Sequence, residues 1–258
     1  MQALSDVVVV LARTQGPINL GLVSRACANM GVGELRLVNP ICEPDCDEAR
    51  KFANHARDDL LLQAPVFTSV AAATTDRHLV IGTTARVRDG EHGAPMAPAA
   101  AAKLARERGA DRVALVFGNE ADGLNDEELR DCNLHLHLET PGPYPSYNLS
   151  HAVAISLYQW GEAWSEPAPP VEELCASREA VARLERYWLG SLERFRYFRR
   201  TPLEQWRPQF QSLVGRMHLT EHDVVVIRGM LSQMNYIAFG DKADDMDQTG
   251  RAPADNQD

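Results

Sequence analysis

Apolar runs of strand length alternate with segments of helical periodicity along the first two thirds of the chain. The run Val7–Ala12 is apolar without interruption, and after a Gly-Pro turn the apolar positions 22, 23, 26 and 30 recur near helical spacing. Comparable strands are predicted at residues 34–39, 65–69, 78–84, 112–117 and 134–138. Helices are predicted between and after them at residues 49–56, 70–76, 99–108, from 125 onward and at 149–164. This alternation predicts an α/β fold, a mostly parallel sheet with helices on both faces.

A change of composition near residue 166 predicts a second region. Residues 166–170 read Glu-Pro-Ala-Pro-Pro, which is typical of a stiff spacer, and helices are predicted beyond it at 171–198, 203–215 and 220–239. In the first of these helices we expect the apolar residues to pack in a core: Val181, Leu184, Trp188 and Leu192. The expected organisation is therefore a domain over residues 1–165, a linker at 166–170, a helical extension over 171–240 and a disordered acidic tail at 241–258.

The composition indicates a globular protein, since 45% of the 258 residues are hydrophobic and 24% are charged. The longest apolar runs are too short to span a bilayer and the first six residues lack the basic start of a signal peptide. A cytoplasmic protein without membrane association is expected. The five cysteines are scattered, with only Cys42 and Cys46 close together, which predicts reduced thiols and no metal site.

The formal net charge of −10 argues at face value against a polyanionic partner. The charge is unevenly distributed, however. Residues 178–216 contain nine arginines and four glutamates, whereas residues 241–258 contain six aspartates against one lysine and one arginine. The arginine segment is either a phosphate-facing surface or a solvated helix face.

Three loops rich in glycine and polar residues follow predicted strands, at residues 82–88, 118–124 and 139–148. Ligands of parallel sheets bind beyond the carboxyl ends of the strands, so we expect the three loops to converge on one site. A nicotinamide-dependent dehydrogenase is disfavoured, because Gln-Gly-Pro follows the first strand instead of a Gly-x-Gly-x-x-Gly sequence.

The last of these loops contains three prolines, Pro141, Pro143 and Pro145, directly before a predicted helix. Each proline fixes its own φ and biases the preceding residue towards extended geometry, so the following polar groups are held by covalent constraint. Ser146 and Asn148 then either cap the helix or belong to a site.

Three ordered motifs in the chain resemble those of the SPOUT-class RNA ribose 2′-O-methyltransferases. They are Asn-Leu-Gly-Leu-Val-Ser-Arg-Ala at 19–26, Leu-Val-Phe-Gly-Asn-Glu-Ala-Asp-Gly-Leu at 115–124 and Ser-Tyr-Asn-Leu-Ser at 146–150. The TrmJ branch of this class is the most similar, through Leu-Val-Asn-Pro at 37–40, Gly-Thr-Thr-Ala-Arg at 82–86 and a helical C-terminal extension. The resemblance covers about residues 6–164 by motif and residues 171–239 only by layout.

The resemblance implies a sheet whose C-terminal part is threaded into a trefoil knot, an exception to the rule that chains are unknotted. It also implies a homodimer that binds S-adenosylmethionine (SAM) and tRNA, with no metal. The family's cofactor positions carry over onto seven residues: Thr83, Thr84, Ala85, Gly118, Leu138, Ser146 and Tyr147. Gly118 is expected to let the backbone approach the ligand closely.

The same resemblance implies a catalytic set of Arg25, Asn19, Glu120, Ser146 and Asn148. In the family the arginine orients the RNA phosphate or acts as the base that removes the 2′-hydroxyl proton. Because a guanidinium stays protonated in proteins, we favour phosphate binding and stabilisation of the developing alkoxide. Asn19 is expected to orient Arg25 or the ribose. Glu120 is expected either to pair with Arg25 or to cap the following turn.

Further residues near these motifs leave alternatives open. Arg86 and Arg88 follow the cofactor loop closely and either contact RNA phosphates together with Arg25 or are ordinary surface residues. His135 and His137 lie on one strand face and form either a proton relay or structural contacts. Tyr147 stands where the family usually has leucine, and the TrmJ branch often has arginine at the position of Asn119.

The function implied by the resemblance is SAM-dependent 2′-O-methylation of the first residue, cytidine or uridine, of the tRNA anticodon loop. Two alternatives remain open. One is a 2′-O-methyltransferase of another RNA such as rRNA, and the other is a non-catalytic RNA-binding homologue.

Overall fold

The computed structural model describes residues 3–54, 60–84, 95–165, 175–198 and 202–240. Contacts divide the chain into two compact units, Met1–Glu173 and Leu174–Asp258. The predicted linker at 166–170 and the acidic tail at 241–258 lie outside the described residues.

The first unit is built on a sheet whose described strands are β1 (Val7–Ala12), β2 (Glu34–Val38), β3 (Val66–Phe67), β4 (Leu79–Thr83), β5 (Val113–Phe117) and β6 (Leu134–Leu136). These six strands follow the spatial order β3-β2-β1-β5-β4-β6, and every pairing between them is parallel. The predicted α/β class and parallel sheet are therefore confirmed.

The described helices of this unit are α1 (Pro17–Met30), α2 (Asp47–Ala53), α3 (Val70–Ala73), α4 (Pro98–Glu107), α5 (Asp126–Arg130) and α6 (Leu149–Trp164). All residues of β1 and β5 are buried, as expected for central strands covered on both faces. In α1, Gly21 faces α2 so closely that a Cβ would lie 2.4 Å from the carbonyl oxygen of Ala49. Close helix packing is thus one physical reason for glycine in the first motif.

Strand β6 is shorter than predicted, since it ends at Leu136 and not at residue 138. The strand ends there because its neighbour β4 ends at Thr83, which pairs with Leu136. On its other side Leu136 forms a single bridge with Met96, whose amide donates to the carbonyl of His135 and whose carbonyl accepts from the amide of His137. Residues 137 and 138, which the period-two pattern assigned to the strand, therefore belong to the loop.

The described part of the second unit consists of α7 (Arg178–Arg194), α8 (Leu203–Met217) and α9 (Glu221–Phe239). The predicted core role of Leu184 is confirmed, since this residue is buried with Phe210 and Leu231, and Val181, Trp188 and Leu192 pack against the same cluster. Side chains of Ser177 and Thr220 cap α7 and α9. Helix α7 starts at residue 178, whereas the predicted helix started at 171. Among the helices of the described residues, none combines the length and the apolar character of a membrane span.

Candidate functional site

A cleft of about 320 Å³ lies at the carboxyl ends of the three neighbouring strands β5, β4 and β6. Three loops that follow these strands supply most of its lining, and α5 and α6 complete it. The predicted convergence of the loops is thus observed, and it follows from the parallel direction of the strands.

Six of the seven predicted cofactor residues line this cleft: Thr83, Thr84, Gly118, Leu138, Ser146 and Tyr147. The seventh, Ala85, lies outside the described residues, as do Arg86 and Arg88. Contact of these residues with a cofactor remains a prediction.

Thr83 and Thr84 are fixed at the end of β4 by hydrogen bonds to both neighbouring segments. The Thr83 hydroxyl donates to the carbonyl of Val116 (3.1 Å), and the Thr84 amide donates to the carbonyl of Leu136 (2.9 Å). His137 Nδ1 donates to the Thr84 carbonyl oxygen at 3.0 Å. The backbone of this wall of the cleft is therefore held from two sides.

The loop after β5 is closed by its own side chain and by a glycine. The Asn119 side-chain oxygen accepts hydrogen bonds from the amides of Ala121 (3.0 Å) and Asp122 (2.7 Å). A Cβ on Gly118 would lie 2.0 Å from the carbonyl carbon of Gly123. The glycine therefore allows its own loop to fold back, and close approach to a ligand at Gly118 stays a prediction.

Glu120 anchors the loop that follows β1. Its Oε1 accepts from the amide of Gly16 (2.9 Å) and the side chain of Asn19 (3.0 Å), and its Oε2 accepts from the amide of Gln15 (3.0 Å). Burial alone would raise the pKa of Glu120, but these donors hold the pKa of the carboxyl below its ordinary value. Glu120 is thus an ionised anchor and a weak base.

Asn19 connects the first and third motifs. Its side-chain nitrogen donates to Glu120, and its side-chain oxygen accepts from the Asn148 side-chain nitrogen at 3.0 Å. Asn148 also caps α6, because its Oδ1 accepts from the Ser150 amide (2.9 Å) and hydroxyl (2.7 Å). Asn148 is therefore the cap of α6, and its role as a site residue stays a prediction.

Arg25 lies on an exposed part of α1. Within the described part of the chain, no hydrogen bond or ion pair joins its guanidinium to another residue. Neither expected role of Glu120, pairing with Arg25 or capping the following turn, appears in its hydrogen bonds, since both of its oxygens are occupied by the segment at 15–19. The Arg25 side chain is available for a ligand outside the cleft.

Tyr147 closes the proline-containing loop. Its hydroxyl donates to the carbonyl of Glu139 at 3.3 Å, so that the two ends of the loop are joined across the intervening prolines. Its side chain lines the cleft and is 38% exposed. Tyr147 thus makes a hydrogen bond to the loop that leucine, the usual family residue, could not make.

The two histidines contact different backbone carbonyls. His135 Nε2 lies 3.3 Å from the carbonyl oxygen of Leu129, and His137 Nδ1 contacts Thr84. Burial lowers the pKa of His135, while the contact with the Leu129 carbonyl opposes that shift. These contacts support the structural alternative over the proton relay.

Several lining residues were missed by the sequence argument. Asp122, Asp126 and Leu129 line the cleft, and Arg13 reaches this region from the end of β1. Asp122 lies inside the second motif, and Arg13 is the first residue after a predicted strand. The rule that placed the other loops at the strand ends could therefore have found both residues.

The lining combines carboxylates with apolar side chains. Glu120, Asp122 and Asp126 bring negative charge, while Phe117 and Leu136 present apolar surface. A small cation that also carries a planar ring system fits this mixture, and the volume is near the lower end of small-molecule sites, about 300–1,000 Å³. Within the ranges that the structure describes, no histidine, cysteine and carboxylate side chains cluster as a metal site requires.

Two named relatives are similar to this chain over most of its length. The tRNA (cytidine/uridine-2′-O-)-methyltransferase TrmJ of Yersinia enterocolitica is 31% identical over 238 residues, 90% of this chain and 92% of the relative. The TrmJ of Escherichia coli K12 is 30% identical over 248 residues, 93% of this chain and 100% of the relative.

Two solved structures are also similar to this protein. The crystal structure of TrmJ from Z. mobilis superposes with a TM-score of 0.74 at 27% identity, covering 88% of this chain and 98% of that one. A methylase family protein from Neisseria gonorrhoeae gives a TM-score of 0.60 at 28% identity, covering 68% and 91%. The model of the SpoU rRNA Methylase family matches residues 6–158, a span that contains the three motifs and the cleft. The chain therefore belongs to the SpoU rRNA methylase family.

Proposed function

We propose that the protein transfers a methyl group from SAM to the ribose 2′-hydroxyl of a cytidine or uridine in the tRNA anticodon loop. One observation carries the proposal: Asn19 hydrogen-bonds to Glu120 and to Asn148 at 3.0 Å each, so the three motifs meet beside the cleft. The TrmJ relatives, at about 30% identity over nearly the whole chain, support tRNA as the substrate.

The cleft fits SAM in charge and in shape. The Glu120 and Asp122 carboxylates complement the positive charges of the cofactor, while Leu138 and Phe117 provide apolar surface for the adenine. Thr83 and Thr84 border the cleft, and the Thr84 carbonyl oxygen, which accepts from His137, keeps a second lone pair that can accept from the adenine amino group. In the proposal, Ser146 and Tyr147 hold the methionine end.

The reaction requires positioning more than acid–base chemistry. When bound, SAM supplies a methyl group already activated by its sulfonium. The ribose 2′-oxygen forms a bond to the methyl carbon as the bond from carbon to sulfur breaks, and the hydroxyl proton leaves to solvent. Arg25 binds the adjoining RNA phosphate and stabilises the developing alkoxide. Asn19 and Asn148 orient the ribose, and ionised Glu120 fixes Asn19.

The same proposal extends to features of the whole protein. A trefoil knot around the cleft, a homodimer and a location in the cytoplasm, where tRNA resides, are parts of it. In the proposal Arg86, Arg88 and the arginine-rich helical extension contact RNA phosphates.

Incubation with total cellular RNA and methyl-labelled SAM, followed by mapping of 2′-O-methyl positions, tests the proposal. The expected label appears in tRNA, at a pyrimidine of the anticodon loop. Label confined to rRNA would favour the rRNA alternative, and no label in any RNA would favour the non-catalytic RNA-binding homologue.

A further inference from the structure

The backbone of Arg13 turns sharply where β1 ends. Its φ of 54° lies in the left-handed region, although the residue is not glycine. Its amide still donates to the carbonyl of Val38 (2.8 Å), and the next carbonyl, that of buried Thr14, accepts from the amides of Ile41 and Cys42. Such conformations persist only where surrounding contacts enforce them, and they cluster at functional sites.

The Arg13 side chain reaches across to the far wall of the cleft. Its Nε donates to Glu128 Oε1 (2.7 Å), and its Nη2 donates to Glu128 Oε2 (2.8 Å) and to the carbonyl of Gly123 (2.9 Å). The two side chains are only 24% and 11% exposed. A two-pronged ion pair of this kind fixes orientation as well as distance.

Both partners of Arg13 belong to structure that shapes the cleft. Gly123 ends the loop after β5, and Glu128 belongs to α5, where its Oε2 also accepts from the amide of Asn125 (2.8 Å). Asp126 and Leu129 of the same helix line the cleft. Arg13 thus holds the end of the loop and the start of α5 with a single side chain.

The short segment containing Arg13 also holds the other end of that loop. The amides of Gln15 and Gly16 bind Glu120, near the start of the loop, while Arg13 binds Gly123, near its end. Residues between these two anchors line the cleft. The segment at residues 13–16 therefore holds both ends of this part of the cleft wall.

We propose that Arg13 is a positioning residue that sets the far wall of the SAM cleft through Gly123 and Glu128. The inference rests on the proposed function, because it takes SAM as the ligand. Arg13 does not line the cleft. Its effect is preorganisation: without it, SAM binding has to order the loop and α5, and affinity falls.

Arg13→Lys tests the inference, because lysine keeps the charge but cannot bridge two partners with a planar fork. The expected result is a dissociation constant for SAM raised about tenfold by calorimetry, the size of a coupling of about 1.4 kcal/mol. The KM for SAM rises in parallel, whereas kcat at saturating SAM and the KM for tRNA stay within about twofold. Glu128→Gln, which weakens the same pair from the other side, is expected to act in the same direction.

A second arginine–carboxylate pair provides the matched control. Arg36 binds Asp76 through two nitrogens (2.6 and 2.9 Å). Asp76 precedes β4, so it lies near the amino end of that strand, whereas the cleft lies at the carboxyl ends. Asp76→Asn is expected to lower the melting temperature without changing SAM affinity.

The outcomes separate the two proposals. The positioning role is contradicted if the wild-type protein binds SAM and Arg13→Lys binds it equally well. It is also contradicted if Asp76→Asn, with a melting temperature similar to that of Arg13→Lys, weakens SAM binding by the same factor. A wild-type protein that binds no SAM contradicts the proposed function, and the inference fails with it.

Discussion

At the residue scale, the site depends on side chains that hold backbone segments together. Asn148 caps α6 and binds Asn19, and Asn119 closes its own turn. The sequence predicts Asn19, Glu120 and Asn148 as site residues through their motifs. It does not predict that Glu120 binds amides and not Arg25, because amide donors leave no pattern in residue types.

Arg25 is the residue whose substitution should separate catalysis from cofactor binding. Because Arg25 lies outside the cleft and binds no partner within the described residues, Arg25→Ala should leave the dissociation constant for SAM within about twofold. The kcat/KM for tRNA methylation should fall about 100-fold or more, as when a donor to a developing oxyanion is removed. Steady-state kinetics with tRNA, together with calorimetry for SAM, measure the two effects. Full activity in the variant would remove Arg25 from the mechanism.

At the scale of single elements, the loop after β5 has the least room for change. In Gly118→Ala, the added methyl group would lie 2.0 Å from the carbonyl carbon of Gly123. The loop must shift, so the free energy of unfolding should fall by about 1–3 kcal/mol and SAM binding should be lost. Thermal unfolding and calorimetry check the two effects.

Gly142 provides the comparison for that variant. It lies in the loop before α6, and a Cβ there would meet no atom within 4 Å. Gly142→Ala should therefore retain both stability and SAM binding. Equal losses in the two variants would show that the crowding at Gly118 is not the cause.

Protonation of His135, on strand β6, should make the free energy of unfolding depend on pH. Burial lowers the pKa of His135 below its ordinary value of 6.5, so the unfolded chain binds a proton more readily than the folded one. Stability is then fully present above about pH 6.5 and falls as the pH decreases towards the folded-state pKa. Urea midpoints at about pH 7.5 and 5.5 should differ more for the wild type than for His135→Gln. An unchanged difference in the variant would assign the acid sensitivity to other groups.

The element boundaries show where sequence patterns stop being informative. Alternation extended β6 through residue 138, but β4, its partner in the sheet, ends at Thr83, which pairs with Leu136. Long-range pairing of this kind overrides a local period. The central strands β1 and β5 were predicted accurately because burial on both faces leaves long apolar runs.

At the scale of the whole molecule, the fold class and the location of the cleft could be predicted from the sequence. Alternating strands and helices indicated a parallel sheet, and loops at carboxyl ends indicated one edge of it. The order β3-β2-β1-β5-β4-β6 could not be predicted, since no local pattern determines which strands become neighbours. The adjacency of β5, β4 and β6 in this order places the loops that follow them around one cleft.

Methyl transfer to a matched pair of tRNA transcripts tests the central claim most directly. One transcript contains only ribose. The other carries a single 2′-deoxyribose, at the anticodon-loop pyrimidine where the first transcript receives the methyl group. Incorporation from labelled SAM should occur in the first transcript and disappear in the second, because the acceptor oxygen is missing. Equal incorporation in both would show that the methyl group goes elsewhere and would contradict ribose 2′-O-methylation.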